Sequence, residues 1–153
     1  MTPRLWTILK LFRYYTLTRA TIQILAGEKN DRVVRRLIDQ LVRFGFIRRI
    51  RMEVVNPAMG AATPVYILTR KGAELLAAEV DPSYLECCVH TPQWTTLYHT
   101  VQVVLLHIAL DQAIQRQTQA SLCRFLGEWD VANPEAKEPH ERWHLATLLR
   151  EKP

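Results

Sequence analysis

The sequence lacks the features that would assign it to a membrane or a secreted protein. No run of about 18 apolar residues occurs in its 153 residues, so we expect no membrane-spanning helix and no membrane partner. The N-terminal segment carries charges and has no small-residue cleavage site, unlike a signal peptide. Of only three cysteines, Cys87 and Cys88 are adjacent and Cys123 stands alone, which predicts no disulfide framework and a reducing, cytoplasmic location.

Common signatures of catalysis are also missing. The sequence contains no glycine-rich phosphate loop and no G-x-S-x-G nucleophile motif. Hydrophobic residues make up 48% and charged residues 23%, which is ordinary for a globular protein and argues against disorder. We therefore expect a binding protein rather than an enzyme, with no catalytic residue, no cofactor and no bound metal.

Positive charge is concentrated in the first half of the chain. Residues 1–71 hold 14 Lys/Arg against four Asp/Glu, a balance of +10, whereas residues 72–153 hold six against 11, a balance of −5. A basic front half is typical of proteins that bind nucleic acid. Membrane surfaces and acidic proteins attract the same charge, so charge alone is weak evidence for nucleic acid as the partner.

Local patterns predict a mainly α (α+β) fold that begins with three helices and a β-hairpin. Apolar residues recur at helical spacing between capping residues, and Gly27 and Gly45 are stop signals. The predicted elements are helices at 3–15, 19–26 and 31–44, strands at 46–54 and 65–68, and a helix at 70–80. Three helices followed by a hairpin, with a short turn between the second and third helices, indicate a winged helix-turn-helix domain.

We expect three parts along the chain. They are a winged helix-turn-helix DNA-binding domain at 1–81, a connector at 82–91 and a C-terminal extension at 92–153. The extension is predicted to be a long helix at 92–117 followed by a small α/β part, with a strand at 122–126 and an amphipathic helix at 140–150. It is interpreted as a dimerisation element or as a truncated α/β domain. Because Val103–Ile108 is rich in β-branched residues, a strand is the alternative there.

The long helix predicted at 92–117 is apolar over more than one stripe. The structural hypothesis is a core helix that packs inside the chain. The alternative is a homodimer interface, which would present two DNA-binding helices to half-sites about one DNA turn apart. His99 and His107 lie on this helix and are expected to be core or interface residues.

The third predicted helix has an arginine side and an apolar side. On a helical wheel Val34, Leu37, Ile38, Leu41 and Phe44 gather opposite Arg32, Arg36, Asp39 and Arg43, with Arg35 at the flank. Arginine near the start of such a helix can pair with guanine or with phosphate in the major groove of duplex DNA. The predicted DNA-binding residues are Lys29, Asn30, Arg32, Arg35, Arg36, Arg43, Arg49 and Arg51. A solvated arginine face on a structural helix is the alternative.

Two stretches resemble the winged-helix half of the replication-relaxation proteins, which belong to plasmids and mobile elements. They are RVVRRLIDQLVRFGFIRRI and PVYILTRKGAELLAAE. The matching positions are Arg36 to Leu41, Gly45, Tyr66, Leu68, Thr69 and Gly72, and the later part around His99 and Glu128-Trp129 is also similar. The resemblance implies a role in plasmid or mobile-element replication control or in transcription regulation.

Two further functions remain as alternatives. His140-Glu141-Arg142-Trp143-His144 matches H-E-x-x-H, the zinc-binding pattern of metal-dependent hydrolases. A third protein ligand for the zinc is not evident, and Thr147 and Arg150 stand where the extended pattern has Gly and His. A winged helix that binds an acidic protein through its basic face is the other alternative.

Overall fold

A computed structural model of the chain describes residues 1–51, 63–88 and 96–117, together with Phe125 and Lys137. Met1–Ala113 forms one compact unit and Ile114–Pro153 a second. The described elements are mostly helices around one small antiparallel sheet, which confirms the α+β class. The boundaries expected at 81 and 92 between the predicted domains stay predictions.

The helices and strands follow one another as the local signals indicate. They are α1 (Pro3–Lys10), a 3₁₀ helix (Leu11–Tyr14), β1 (Thr16–Thr18), α2 (Arg19–Leu25), α3 (Asp31–Arg43), β2 (Ile47–Ile50), β3 (Val65–Leu68), α4 (Arg70–Glu79), a second 3₁₀ helix (Pro82–Cys88) and α5 (Leu97–Gln115). Thr2, Thr18, Asn30 and Thr69 cap α1 to α4 through their side-chain oxygens, as N-cap residues commonly do.

The three strands form a sheet in the order β1-β3-β2, with both neighbouring pairs antiparallel. All four residues of the central strand β3 are buried, since helices cover it as well as strands. The strand β1 was not predicted, because three residues are too short for an alternating pattern to be visible. The predicted strand 46–54 is observed at Ile47–Ile50, and its last residues, 52–54, lie outside the described residues.

The core lies between the first three helices, the sheet and α4. Its largest fully buried side chains come from every one of these elements and include Ile8, Phe12, Leu17, Ile22, Ile38, Leu41, Ile47 and Leu76. Each such side chain contributes roughly 1.5–3 kcal/mol by leaving water. The helix α3 packs into this core with its apolar side only.

The first helix is shorter than expected. A helix to Tyr15 was predicted, but α1 ends at Lys10 and continues as the 3₁₀ helix Leu11–Tyr14. Tyr15 then has φ of 68°, which a right-handed helix cannot accommodate. The chain turns there and enters β1.

The long helix α5 packs against the sheet. Leu97 and Val101 are buried in a cluster with Val65, and Ile50 packs beside them. The alternative of a strand at Val103–Ile108 is wrong, because these residues are helical in α5.

A polar contact joins α5 to the first 3₁₀ helix. The Tyr14 hydroxyl donates to Asp111 Oδ2 over 2.6 Å, and Arg13 Nη2 donates to the same oxygen over 2.9 Å. His107 packs edge-on against the Tyr14 ring with centroids 5.1 Å apart. Burial and the bond to Asp111 raise the pKa of Tyr14. The neighbouring residues Arg13 and Tyr14 thus hydrogen-bond to α5, almost 100 residues later in the chain.

Part of the connector predicted at 82–91 is ordered against the first helix. Residues Pro82–Cys88 form a 3₁₀ helix in which Tyr84 is buried, and its hydroxyl donates to the Lys10 carbonyl over 2.8 Å. Within the described ranges no helix is both long enough and apolar enough to cross a bilayer.

Candidate nucleic-acid interface

The helix α3 lies with one side in the core and the other in solvent. Val34, Leu37, Ile38 and Leu41 are at most 6% exposed, as the helical wheel predicts. Phe44 was expected to join them but is 49% exposed. It is the C-cap residue of α3 and directly precedes the turn at Gly45.

A tight turn sets the start of α3. Gly27 adopts φ of 65° after α2, its amide donates to Ile24 and the Glu28 amide donates to Gln23, which together form a Schellman end. The helix α3 begins at Asp31, four residues after Gly27. Asn30 Oδ1 accepts from the Arg32 amide over 3.0 Å, so the predicted DNA contact Asn30 acts in this structure as the N-cap. Lys29 is exposed beside it.

Four arginines define the solvent side of α3. Arg32, Arg35, Arg36 and Arg43 are exposed, and we call this surface the arginine face. With Asp39 and Gln40 these side chains line a shallow concavity along the helix. Among the described residues none of the four arginines lies within 4.0 Å of a carboxylate oxygen. Their guanidinium groups are therefore available to an outside anion.

Both aspartates of α3 are paired with arginines from other elements. Asp31 Oδ1 lies 3.0 Å from Arg19 Nε, on α2. Asp39 Oδ1 accepts from Arg49 Nη2 on β2 over 2.8 Å. These exposed pairs contribute little to stability. Each carboxylate has its ion-pair partner outside the arginine face, so neither forms a salt bridge with the four arginines.

The predicted contact Arg49 therefore has a partner within the protein. Its guanidinium carbon lies 5.6 Å from the centre of the Tyr66 ring while Nη2 donates to Asp39. The neighbouring residues Arg48 and Arg51 are exposed on the same hairpin. Sequence analysis placed Asp39 on the arginine face but missed its pairing with Arg49. The feature of the sequence that could have indicated this pairing is an acidic residue at the centre of a basic helix face.

The end of α3 is held by the start of α4. Gly45 has φ of 72°, and the Thr69 hydroxyl donates to its carbonyl over 2.6 Å while accepting from the Gly72 amide over 3.2 Å. A Cβ added to Gly72 would lie 2.2 Å from the Phe46 carbonyl oxygen, so only glycine allows this approach. Lys71 Nζ also donates to the Phe44 carbonyl over 2.8 Å. These contacts hold the end of α3 against α4, and the turn at Gly27 sets its start, so both ends of the helix that carries the arginine face are held.

A family model described as replication-relaxation matches residues 9–146, which is most of the chain. The chain belongs to the replication-relaxation family. The match confirms the resemblance and supports a replication-related role. Searches of curated proteins and of solved structures returned no match.

Four of the residues that carried the resemblance to the replication-relaxation family lie on β3 and at the start of α4 and have structural tasks in this member. Tyr66 and Leu68 are buried in the central strand, Thr69 caps α4 and Gly72 permits its close contact with the end of α3. They position the arginine face without being part of it.

The competing metal motif cannot be placed. His140, Glu141 and His144 lie outside the described residues. In the part of the chain that the structure describes, no group of three His, Cys, Asp or Glu is arranged to hold a metal ion. The predicted strand at 122–126 and helix at 140–150 also lie outside the described residues.

Proposed function

We propose that this replication-relaxation protein binds duplex DNA as a winged helix-turn-helix protein, with α3 in the major groove. The order of three helices followed by the antiparallel pair β2–β3 supports this fold assignment. The short turn between α2 and α3 and the exposed side of α3 are what groove insertion requires.

The arginine face carries the proposal. A merely solvated face would gain from mixed charges, since acidic partners at helical spacing stabilise a surface helix. Here both acidic residues of α3 are paired with arginines from other elements, while Arg32, Arg35, Arg36 and Arg43 point outward unpaired within the described residues. Such a surface matches a polyanion.

The chemistry of the contacts follows from the positions of the arginines. Arg32, Arg35 and Arg36 lie in the first two turns of α3, where a guanidinium can donate two hydrogen bonds to guanine O6 and N7. Lys29 and the amides at the start of the helix suit a phosphate. Arg43 and Arg51 are assigned to the DNA backbone at the two edges of the groove.

The proposed biological role is control of replication or of transcription on a plasmid or mobile element, in the cytoplasm. Family membership supports the replication side of this role. The proposed activity is binding rather than catalysis. Metal analysis of the purified protein tests the zinc-hydrolase alternative directly.

Duplex binding is tested by fluorescence anisotropy at several salt concentrations. The wild type should show a steep fall in affinity with salt, because each neutralised phosphate adds about 0.9 to the slope of log K against log salt. Replacing both Arg32 and Arg36 by Ala should weaken binding by at least about tenfold, since one base contact contributes about 1–3 kcal/mol.

The matched control replaces Arg4 and Arg70 by Ala. It removes the same charge from exposed arginines of α1 and α4, which are paired with Glu28 and Glu74 and do not belong to the arginine face. We expect it to weaken binding by less than about threefold. Equal losses in the two double variants, or no salt-dependent binding by the wild type, would reject α3 as the DNA-binding element and favour an acidic protein partner.

We also propose that two copies associate through α5. Its solvent side carries Tyr98, Leu105, Leu106 and Leu110, of which Tyr98 is 68% and Leu106 57% exposed. Asp111, the one Asp, Glu, Lys or Arg residue of α5, is engaged by Tyr14, so this surface offers a second copy no charge to repel. A dimer would present two α3 helices to paired half-sites on DNA.

Sedimentation analysis tests the association. The wild type should sediment as a dimer, and Leu106→Glu should shift it to the monomer because a carboxylate would be buried without a partner. Gln117→Glu, which adds the same charge at an exposed position after α5, should leave the dimer intact. A monomeric wild type would contradict the proposal.

A further inference from the structure

Asp39 is the acidic residue at the centre of the arginine face. It follows Arg36 by three residues and precedes Arg43 by four, so it lies on the same side of α3 as both. In a surface that binds only phosphate, a carboxylate at this place would oppose the function. We infer that Asp39 determines sequence specificity, an inference that rests on the proposed binding of duplex DNA.

The geometry leaves Asp39 able to meet DNA. One carboxylate oxygen, Oδ1, accepts from Arg49 Nη2 over 2.8 Å, and the Asp39 side chain is still 42% exposed. An ionised carboxylate offers about four acceptor positions, so the bond to Arg49 leaves others for a ligand. Arg49 is in turn held over the Tyr66 ring, which fixes the direction of the carboxylate before DNA arrives.

The acceptor chemistry selects what Asp39 can touch. A carboxylate repels phosphate and accepts hydrogen bonds only from donors, and the amino group N4 of cytosine is such a donor in the major groove. The arginines around it can donate to guanine or to phosphate. Asp39 therefore reads a cytosine and, by repelling phosphate, disfavours a docking register that places the backbone against the middle of α3.

A second function of the pair is to restrain Arg49. While Arg49 donates to Asp39, one basic side chain of the hairpin is withheld from phosphate. Loss of Asp39 would free this guanidinium and remove a negative charge at once. Both changes strengthen binding to any duplex, whatever its sequence, so specificity should fall while unselective affinity rises.

Asp31 provides a matched control on the same helix. It is also paired with an arginine from another element, Arg19 at 3.0 Å, and it is also exposed. It is, however, the first residue of α3 and lies on the flank of the helix, away from the line that joins Arg36, Asp39 and Arg43. Asp31→Ala and Asp39→Ala therefore change the charge equally. Alanine favours the helix at the interior position 39, whereas at position 31 the substitution removes a carboxylate that the positive end of the helix dipole stabilises.

The experiment first selects sequences from random duplex DNA with the wild type, Asp39→Ala, Asp39→Asn and Asp31→Ala. Fluorescence anisotropy then compares the affinity of each protein for the wild-type-selected duplex with that for an unselected duplex. For Asp39→Ala we expect this ratio to fall about tenfold. Its salt slope should steepen by about 0.9, because Arg49 gains a phosphate. For Asp31→Ala the ratio should stay within about twofold of the wild-type value.

The selected sequences give an independent measure. At the base pair where the wild type prefers cytosine, Asp39→Ala should show no preference. Asp39→Asn should prefer adenine there, because a side-chain amide pairs with adenine N6 and N7. Equal ratios for the two alanine variants, or unchanged base preferences, would overturn the assignment of Asp39. A wild type that binds selected and unselected duplex equally would also overturn it while leaving DNA binding intact. Absence of any salt-dependent duplex binding would instead reject the proposed function itself.

Discussion

The Thr69 hydroxyl ties the end of α3 to the start of α4, and its removal should measurably destabilise the protein. In Thr69→Val the side chain keeps its shape but loses the oxygen that accepts from the Gly72 amide over 3.2 Å and the proton that is donated to the Gly45 carbonyl over 2.6 Å. Loss of an N-cap oxygen costs about 1 kcal/mol. Loss of a further hydrogen bond costs about 1 kcal/mol. We therefore expect the free energy of unfolding to fall by about 2 kcal/mol.

Urea unfolding followed by circular dichroism measures this change. With a slope of about 2 kcal/mol per molar urea, the midpoint should fall by about 1 M. Thr69→Ser keeps the hydroxyl and should stay close to the wild type. Thr69→Asp keeps the capping oxygen but has no proton for Gly45, so it should lose stability while retaining the cap. If Thr69→Val unfolds within about 0.5 kcal/mol of Thr69→Ser, the hydroxyl does not hold the two helices together and the argument is wrong.

Two further predictions concern packing and pH. Gly72→Ala should destabilise the protein by roughly 1–3 kcal/mol in the same urea assay, because the new Cβ would meet the Phe46 carbonyl. In an open helix the same substitution would stabilise the protein, so an increase in the free energy of unfolding would contradict this close contact. Burial, reinforced by the bond to Asp111, raises the pKa of Tyr14 above its ordinary value of 10.0, so the unfolded chain loses this proton at lower pH than the folded one. The free energy of unfolding should therefore fall as pH rises above about 10, and Tyr14→Phe should reduce that fall; an equal fall in both proteins would contradict the assignment.

Sequence reasoning succeeded where the decisive interactions are local. The start of α3 is determined by Asn30, whose side chain reaches only two residues along the chain, and its end by the left-handed Gly45. The burial of Val34, Leu37, Ile38 and Leu41 follows from helical spacing alone. The exposure of the arginine face is the necessary counterpart of that burial.

Sequence reasoning failed where the chain bends or where a segment is very short. The helix predicted to Tyr15 ends early, because the packing of Tyr14 under α5 and the turn at Tyr15 depend on residues far along the chain. The strand β1 exists because β3 pairs with it, and no property of three residues reveals that. Phe44 is apolar and keeps a helical backbone conformation, but it is exposed at the C-cap of α3, because burial at a helix end depends on the elements packed around it rather than on helical spacing.

The amino-acid sequence by itself determined that this protein has a two-sided third helix, with arginine on one side, because periodicity and capping act within a few residues. Only the tertiary structure decided which charges remain available. The pairing of Asp39 with Arg49 joins a helix to a strand ten residues later, and that of Asp31 with Arg19 joins two helices. Ion pairs between elements depend on how the elements pack, and packing is set by the whole core rather than by any local pattern.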